Sequence, residues 1–145
     1  MKLKAIKKEV QKYQYFEDTS IIDLVLATLI STRLNLGDPI WLVIIGASSG
    51  GKSQILRPMA LTDEKYIHRV DDLTENTFLS AKQGDTKNSL LHRIGKRGVI
   101  AISDLTVLFS KNSESRNAIL SQFRMIYDGE MTKMSGNSAE ANTWK

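Results

Sequence analysis

Eight residues constrain this chain more than any others. Gly46-Ala47-Ser48-Ser49-Gly50-Gly51-Lys52-Ser53 follows an unbroken apolar run, Ile40 to Ile45, and opens a stretch read as helix over about 51–60. The apolar run begins after a turn at Gly37-Asp38-Pro39, and a continuous run of that kind reads as a strand buried on both faces of a parallel sheet. The pattern Gly-x-x-x-x-Gly-Lys-Ser arises by chance in roughly one chain of this length in two hundred. Its place between a strand and a helix makes chance a weaker account still. The plain alternative is a glycine-rich turn that does no more than join two elements.

The pattern carries a mechanism. Glycines let the loop curl until successive backbone N–H groups face one point, and a helix N-terminus adds positive potential there. Such a loop cradles phosphates, with the lysine reaching the outer phosphates and the serine hydroxyl serving magnesium. The expected nucleotide-binding set is therefore Gly46, Ala47, Ser48, Ser49, Gly50, Gly51, Lys52, Ser53 and Gln54, with ATP or GTP and Mg2+ as ligands.

The remaining elements alternate. Helices are expected over 3–14, with Leu3, Ile6 and Val10 on one face, and over 20–33, apolar nearly all round behind the capping types Asp18, Thr19 and Ser20. A strand over 65–70 precedes a short helix at 75–82, a polar loop at Gly84-Asp85 and a helix at 87–94 closed by Gly95. A buried strand, Val99 to Ile102, ends at Ser103-Asp104. Helices at 105–110 and 114–127 follow, the second with Ala118, Ile119, Gln122, Phe123 and Ile126 at helical spacing. Residues 130–134 and 141–145 read as a hairpin. This order predicts an α/β fold of the P-loop NTPase type, a mostly parallel sheet flanked by helices and open to being incomplete. The expected division is an N-terminal helical segment, 1–36, and a nucleotide-binding core, 37–145, within a single domain overall.

Ligands on such sheets bind at the carboxyl ends of the strands, and Asp104 sits at one. A carboxylate there holds magnesium, directly or through water; the alternative is a cap for the helix starting near Leu105. Ser53 and Asp104 are the expected metal residues, and Lys52, Asp104 and Asp72 the expected catalytic ones. Many ATP-driven motors carry glutamate directly after this aspartate, where this chain has Leu105. Asp71 and Asp72 would orient water only if their strand neighbours the Asp104 strand; otherwise they are turn and cap residues. Glu75 reads as a first-turn helix residue. Arg124 and, more weakly, Arg116 are candidates for a phosphate contact, against the bland reading of exposed helix arginines. His68 and His92 lack partners at metal-ligand spacing and read as structural.

The net charge of +4 is local. Lys2, Lys4, Lys7, Lys8 and Lys12 against Glu9 account for all of it, and the other residues carry 15 basic and 15 acidic side chains. DNA contact is thus expected to be weak and carried by the lysine-rich N-terminus, or by residues outside this chain; a solvated helix face explains the lysines equally. The cluster His92-Arg93 with Lys96-Arg97 has the same two readings. No cysteine is present, which removes thiolate sites and fits a cytoplasmic protein. The apolar run Ile21 to Ile30, broken by Asp23 and Thr28, is too short to span a membrane and reads as a buried helix.

The order of these motifs resembles a group of P-loop ATPases of bacteriophages and other mobile elements, related to AAA+ and helicase-type ATPases. The matching pieces are Trp41 to Ser53, Asp72-Leu73-Thr74 with Leu79-Ser80, Leu90-Leu91 to Gly95, Ile102 to Thr106, and Arg124 to Gly129. The resemblance implies Mg-dependent ATP binding and hydrolysis in phage or plasmid DNA metabolism, as a helicase-like motor that can form homo-oligomers. Relatives tend to have a basic residue before the aspartate and Phe after it, where this chain has Ser103 and Leu105. They also continue into a further strand with a phosphate sensor and then an arginine element, so a shortened chain is expected here. Two other classes remain open: a P-loop small-molecule kinase, and a non-hydrolysing nucleotide-sensing or assembly module.

Overall fold

The computed structural model describes residues 3–47, 50–56, 66–80, 89–134 and 141–145. The chain divides into two compact units, Met1–Thr62 and Asp63–Lys145.

In the first unit, helix α1 (Leu3–Val10) tightens into turns that close at Gln14, whose N–H reaches the Val10 carbonyl. The Gln11 side chain then acts as a clasp. Its Nε2 donates to the Phe16 carbonyl and its Oε1 accepts from the Phe16 N–H, both at 2.9 Å. Helix α2 (Ser20–Leu34) is started by Asp18, which accepts from the Ser20 N–H and hydroxyl. Those bonds, the hydroxyl's foremost, hold the Asp18 carboxyl below its ordinary pKa. Asn35, in the left-handed conformation, ends the helix. Lys7 of α1 pairs with Asp23 of α2.

Two expectations for this unit do not hold. Helix α2 is apolar but not enclosed: Ile22 and Val25 are buried, while Leu24, Ile30 and Leu34 are exposed. Residues 40–45 form no strand, and Ile40, Trp41, Leu42, Val43 and Ile45 are exposed, Ile45 by 91%. An apolar run is a strand only where a neighbouring strand takes its N–H and C=O groups, and among the described residues the parallel pairing involves other segments. The helix expected over 51–60 is present over 52–56; Gly51 is a bend, and 57–60 lie outside the described residues.

The second unit holds β1 (Ile67–Val70), α3 (Leu90–Ile94), β2 (Val99–Ile102), α4 (Thr106–Ser110), α5 (Ser113–Asp128), β3 (Met131–Met134) and β4 (Ala141–Trp144). Strands β1 and β2 pair in parallel from Ile67↔Val99 to Val70↔Ile102, and β3 and β4 form the expected antiparallel hairpin. The fold is thus mixed helix and strand, with a two-stranded parallel sheet. Val70, Leu73, Phe78, Leu79, Leu91, Leu108, Ile119, Phe123 and Met131 form its core. Helix α5 supplies Ile119, Gln122 and Phe123 from the face its spacing predicts, is capped by Asn112 accepting from the Ser115 N–H, and ends at Gly129 with φ +82°. Strand β2, expected buried, is half-buried along its length.

The helix expected from residue 75 does not form over the described residues 75–80. Thr77 Oγ1 accepts from the Thr74 N–H, and Thr74 Oγ1 accepts from the Asn76 N–H. Short hydroxyl side chains here give the backbone an alternative to helix. The Glu75 carbonyl, which a helix would spend four residues on, instead accepts from Gln122 Nε2 and Lys133 Nζ. Partial burial there pushes the Lys133 ammonium below its ordinary pKa.

Candidate functional site

The glycine loop lies in the first unit. Gly51 has φ +78°, a left-handed conformation that side chains disfavour, and helical structure starts at the next residue. The Gly50 N–H closes back onto the Ala47 carbonyl at 3.1 Å. A Cβ at Gly50 would stand 3.0 Å from that same carbonyl oxygen, a contact tight enough that the carbonyl would have to give by a few tenths of an ångström. Lys52 folds over the loop, its Nζ donating to the Gly46 carbonyl at 2.7 Å and the Ala47 carbonyl at 2.6 Å. The ammonium is therefore held by two neutral carbonyl acceptors. Ser53 and Gln54 are exposed in the first helical turn, the Gln54 N–H bonded to the Gly51 carbonyl. Ser48 and Ser49 lie outside the described residues.

A second polar group forms at the carboxyl ends of the parallel strands. Because Val70 is paired with Ile102, residues 71–72 and 103–104 leave the sheet side by side. Arg69 joins the two ends: its Nε donates to Asp71 Oδ1 at 2.8 Å and to Ser103 Oγ at 2.9 Å. Asp72 has Lys111 Nζ at 3.9 Å. Asp104 Oδ1 accepts from the Thr106 N–H at 2.8 Å and from its hydroxyl at 2.6 Å, so this carboxylate starts helix α4. The neighbouring-strand condition placed on Asp71 and Asp72 is met, and the capping reading of Asp104 has a geometry.

Magnesium on a phosphate chain keeps several waters and takes one or two hard oxygen ligands from protein. Ser53 and Asp104 are of that chemistry and both are exposed. Among the described residues no group of three or more His, Asp or Glu side chains could hold an ion alone. Ser53 belongs to the first unit and Asp104 to the second.

Other sequence candidates fall outside both groups. Glu75 accepts from the Ser115 hydroxyl at 2.8 Å and belongs to the packing of α5, not to a helix N-terminus. Arg124 is exposed and Arg116 half-buried on α5. His92 Nε2 donates to Asn142 Oδ1 at 2.8 Å, since the Asn142 amide itself donates to the Ser80 carbonyl, and so ties α3 to the hairpin. His68 is buried on β1. Sequence reasoning passed over Arg69, which has no motif around it; its place one residue before the strand end was the only available signal. It also passed over Gln14. Among the described residues no helix is long and apolar enough to cross a membrane. Comparison with protein families, curated proteins and solved structures finds no match to this chain.

Proposed function

We propose that this chain binds a nucleoside triphosphate with Mg2+ at residues 46–54, as the ATPase domain of a helicase-like protein of phage-type DNA metabolism, within a fold of the P-loop NTPase type. The observation that carries this reading is the Lys52 ammonium, turned back onto the Gly46 and Ala47 carbonyls beside Gly51 in its left-handed conformation. Phosphate oxygens, being charged, would be stronger acceptors for this ammonium than the two carbonyls. The Ser53 hydroxyl and the Asp104 carboxylate are each of the oxygen chemistry that serves magnesium, which would supply charge neutralisation on the phosphates. Asp72 leaves the sheet beside Asp104 and is of the residue type that orients a water. One observation favours the non-hydrolysing sensor: the Asp104 carboxylate is already engaged with Thr106, and Leu105 stands where motors carry a glutamate.

The test is calorimetric titration of MgATP into the chain and into Lys52→Ala. Loss of a charge-assisted phosphate contact, worth about 1.5–3 kcal/mol, lowers affinity roughly tenfold or more. Equal affinity in a folded Lys52→Ala variant would refute the reading.

A further inference from the structure

We propose that the segment from Lys4 to Tyr15 is a binding surface for single-stranded nucleic acid, on which Tyr13 and Tyr15 stack unpaired bases and the lysines meet the phosphates; none of its residues belongs to the phosphate loop, and it stands apart from the nucleotide reading above. The surface is a stripe of charge that ends in two rings. Lys4, Lys8 and Lys12 are exposed and recur every fourth residue. That spacing sets them along one side of α1 and its closing turns, about 6 Å apart on the axis. Lys7 falls off this line and pairs with Asp23. The acidic side chains around the stripe are Glu9, which pairs with Lys12 at 2.7 Å, Glu17, and Asp18, whose carboxylate is engaged by Ser20.

Tyr13 and Tyr15 are 83% and 78% exposed. Gln14 between them and Phe16 after them are half-buried, so exposure alternates along the bend. Gln14 approaches Gly51, where a Cβ would stand 2.9 Å from its Nε2. The Gln11 side chain holds both the N–H and the carbonyl of Phe16, so the bend that carries the rings is closed on itself. A ring presented from a closed bend loses less freedom on binding than one on a loose tail. The partner follows from this chemistry. A polyanion answers the lysines, but a lysine stripe does not distinguish one strand from two. The rings do. In a duplex each base is already stacked on its neighbours, whereas in a single strand every base offers a face to an aromatic side chain, whatever the sequence.

The experiment follows the anisotropy of a labelled oligothymidylate of about 20 nucleotides, longer than one stacking platform occupies, beside an oligouridylate and a DNA duplex of the same length. It uses the full chain with no nucleoside triphosphate present. The single strands are expected to bind about tenfold tighter than the duplex. Tyr13→Ala and Tyr15→Ala should each weaken single-strand binding by about tenfold, the scale of one lost base–ring stack. They should leave duplex binding, and the slope of log affinity against log salt, unchanged, because no charge is removed; retained duplex binding also shows that the variants are folded. Tyr13→Phe and Tyr15→Phe keep the rings and should bind as the wild type. Binding of one strand chemistry and not the other supports the surface and names its source. Alanine variants that hold the single strand as the wild type does overturn the proposal and leave the lysines a general polyanion patch. An equal fall for single strand and duplex overturns it as well. So does a chain that ignores all three nucleic acids and binds phosphatidylserine vesicles through the same tyrosines, which would make the segment a membrane surface.

Discussion

Asp104 is the residue at which two physical roles can be separated by experiment. Its Oδ1 accepts from the Thr106 N–H and hydroxyl at 2.8 and 2.6 Å, at the start of the five-residue helix α4. Asp104→Ala removes both acceptors. Capping losses run about 0.5–2 kcal/mol, and because Thr106 is exposed and its N–H can turn to water, the lower half of that range applies, about 1 kcal/mol. For a unit of this size that lowers the melting temperature by about 4–8 °C. Asp104→Asn keeps an oxygen at the same place and should cost only a few tenths of a kcal/mol by the same capping scale. Magnesium responds differently, since the charge is lost in both variants. Affinity for MgATP should fall in each by about tenfold, the scale of one lost charge-assisted contact, while ATP in EDTA binds as in the wild type. Urea unfolding in a Trp41→Phe background leaves Trp144 as the indole reporter of the second unit, and calorimetry with and without EDTA reads the metal. Two variants equally unstable would refute the capping geometry. An unchanged magnesium dependence in both would leave Asp104 a helix cap and nothing more.

Gly51→Ala should destabilise the first unit by about 1–2 kcal/mol, because a side chain is forced into a left-handed backbone and against Gln14. Denaturant unfolding followed through Trp41 measures it, and an unshifted midpoint would show that the loop relaxes freely. Replacing Lys4 and Lys8 by Gln leaves the Lys7–Asp23 and Lys12–Glu9 pairs intact and removes two charges from the basic segment. Whatever weak DNA affinity the chain has should drop and its salt dependence flatten; anisotropy unchanged across a salt series would move the contact to Arg93, Lys96 and Arg97.

Elements whose signals are local were legible in the sequence. Helix α5 carries its own cap at Asn112, its own stop at Gly129 and its own apolar face, and it forms within one residue of the expected ends. Strand β2 was found from its apolar run and β1 from the stretch at 65–70, and each has the other as its partner. Residues 40–45 carry an equally strong run, but pairing depends on a neighbour that no local pattern announces. Residues 75–80 failed for the opposite reason: Thr74 and Thr77 provide local bonds that compete with helix, and Gln122 and Lys133 reach them from some fifty residues away. At the candidate site, the loop's composition announced its curl, and the strand register places Asp72 beside Asp104. The Gln14 approach was not legible, because nothing in Tyr-Gln-Tyr signals a contact with a glycine far along the chain.

The exposure of residues 40–45 has a colloidal consequence. Ile-Trp-Leu-Val-Ile-Ile is a six-residue segment without charge or proline, the composition that stacks into intermolecular sheet. In most domains such a segment is hidden, and precipitation waits on unfolding. Here it is at the surface of the folded chain, so association between molecules needs no unfolding step. Shelf life in a concentrated sample would then follow protein concentration more closely than thermal stability. A single lysine placed at Val43, the most exposed position in the middle of the run, would act as a gatekeeper.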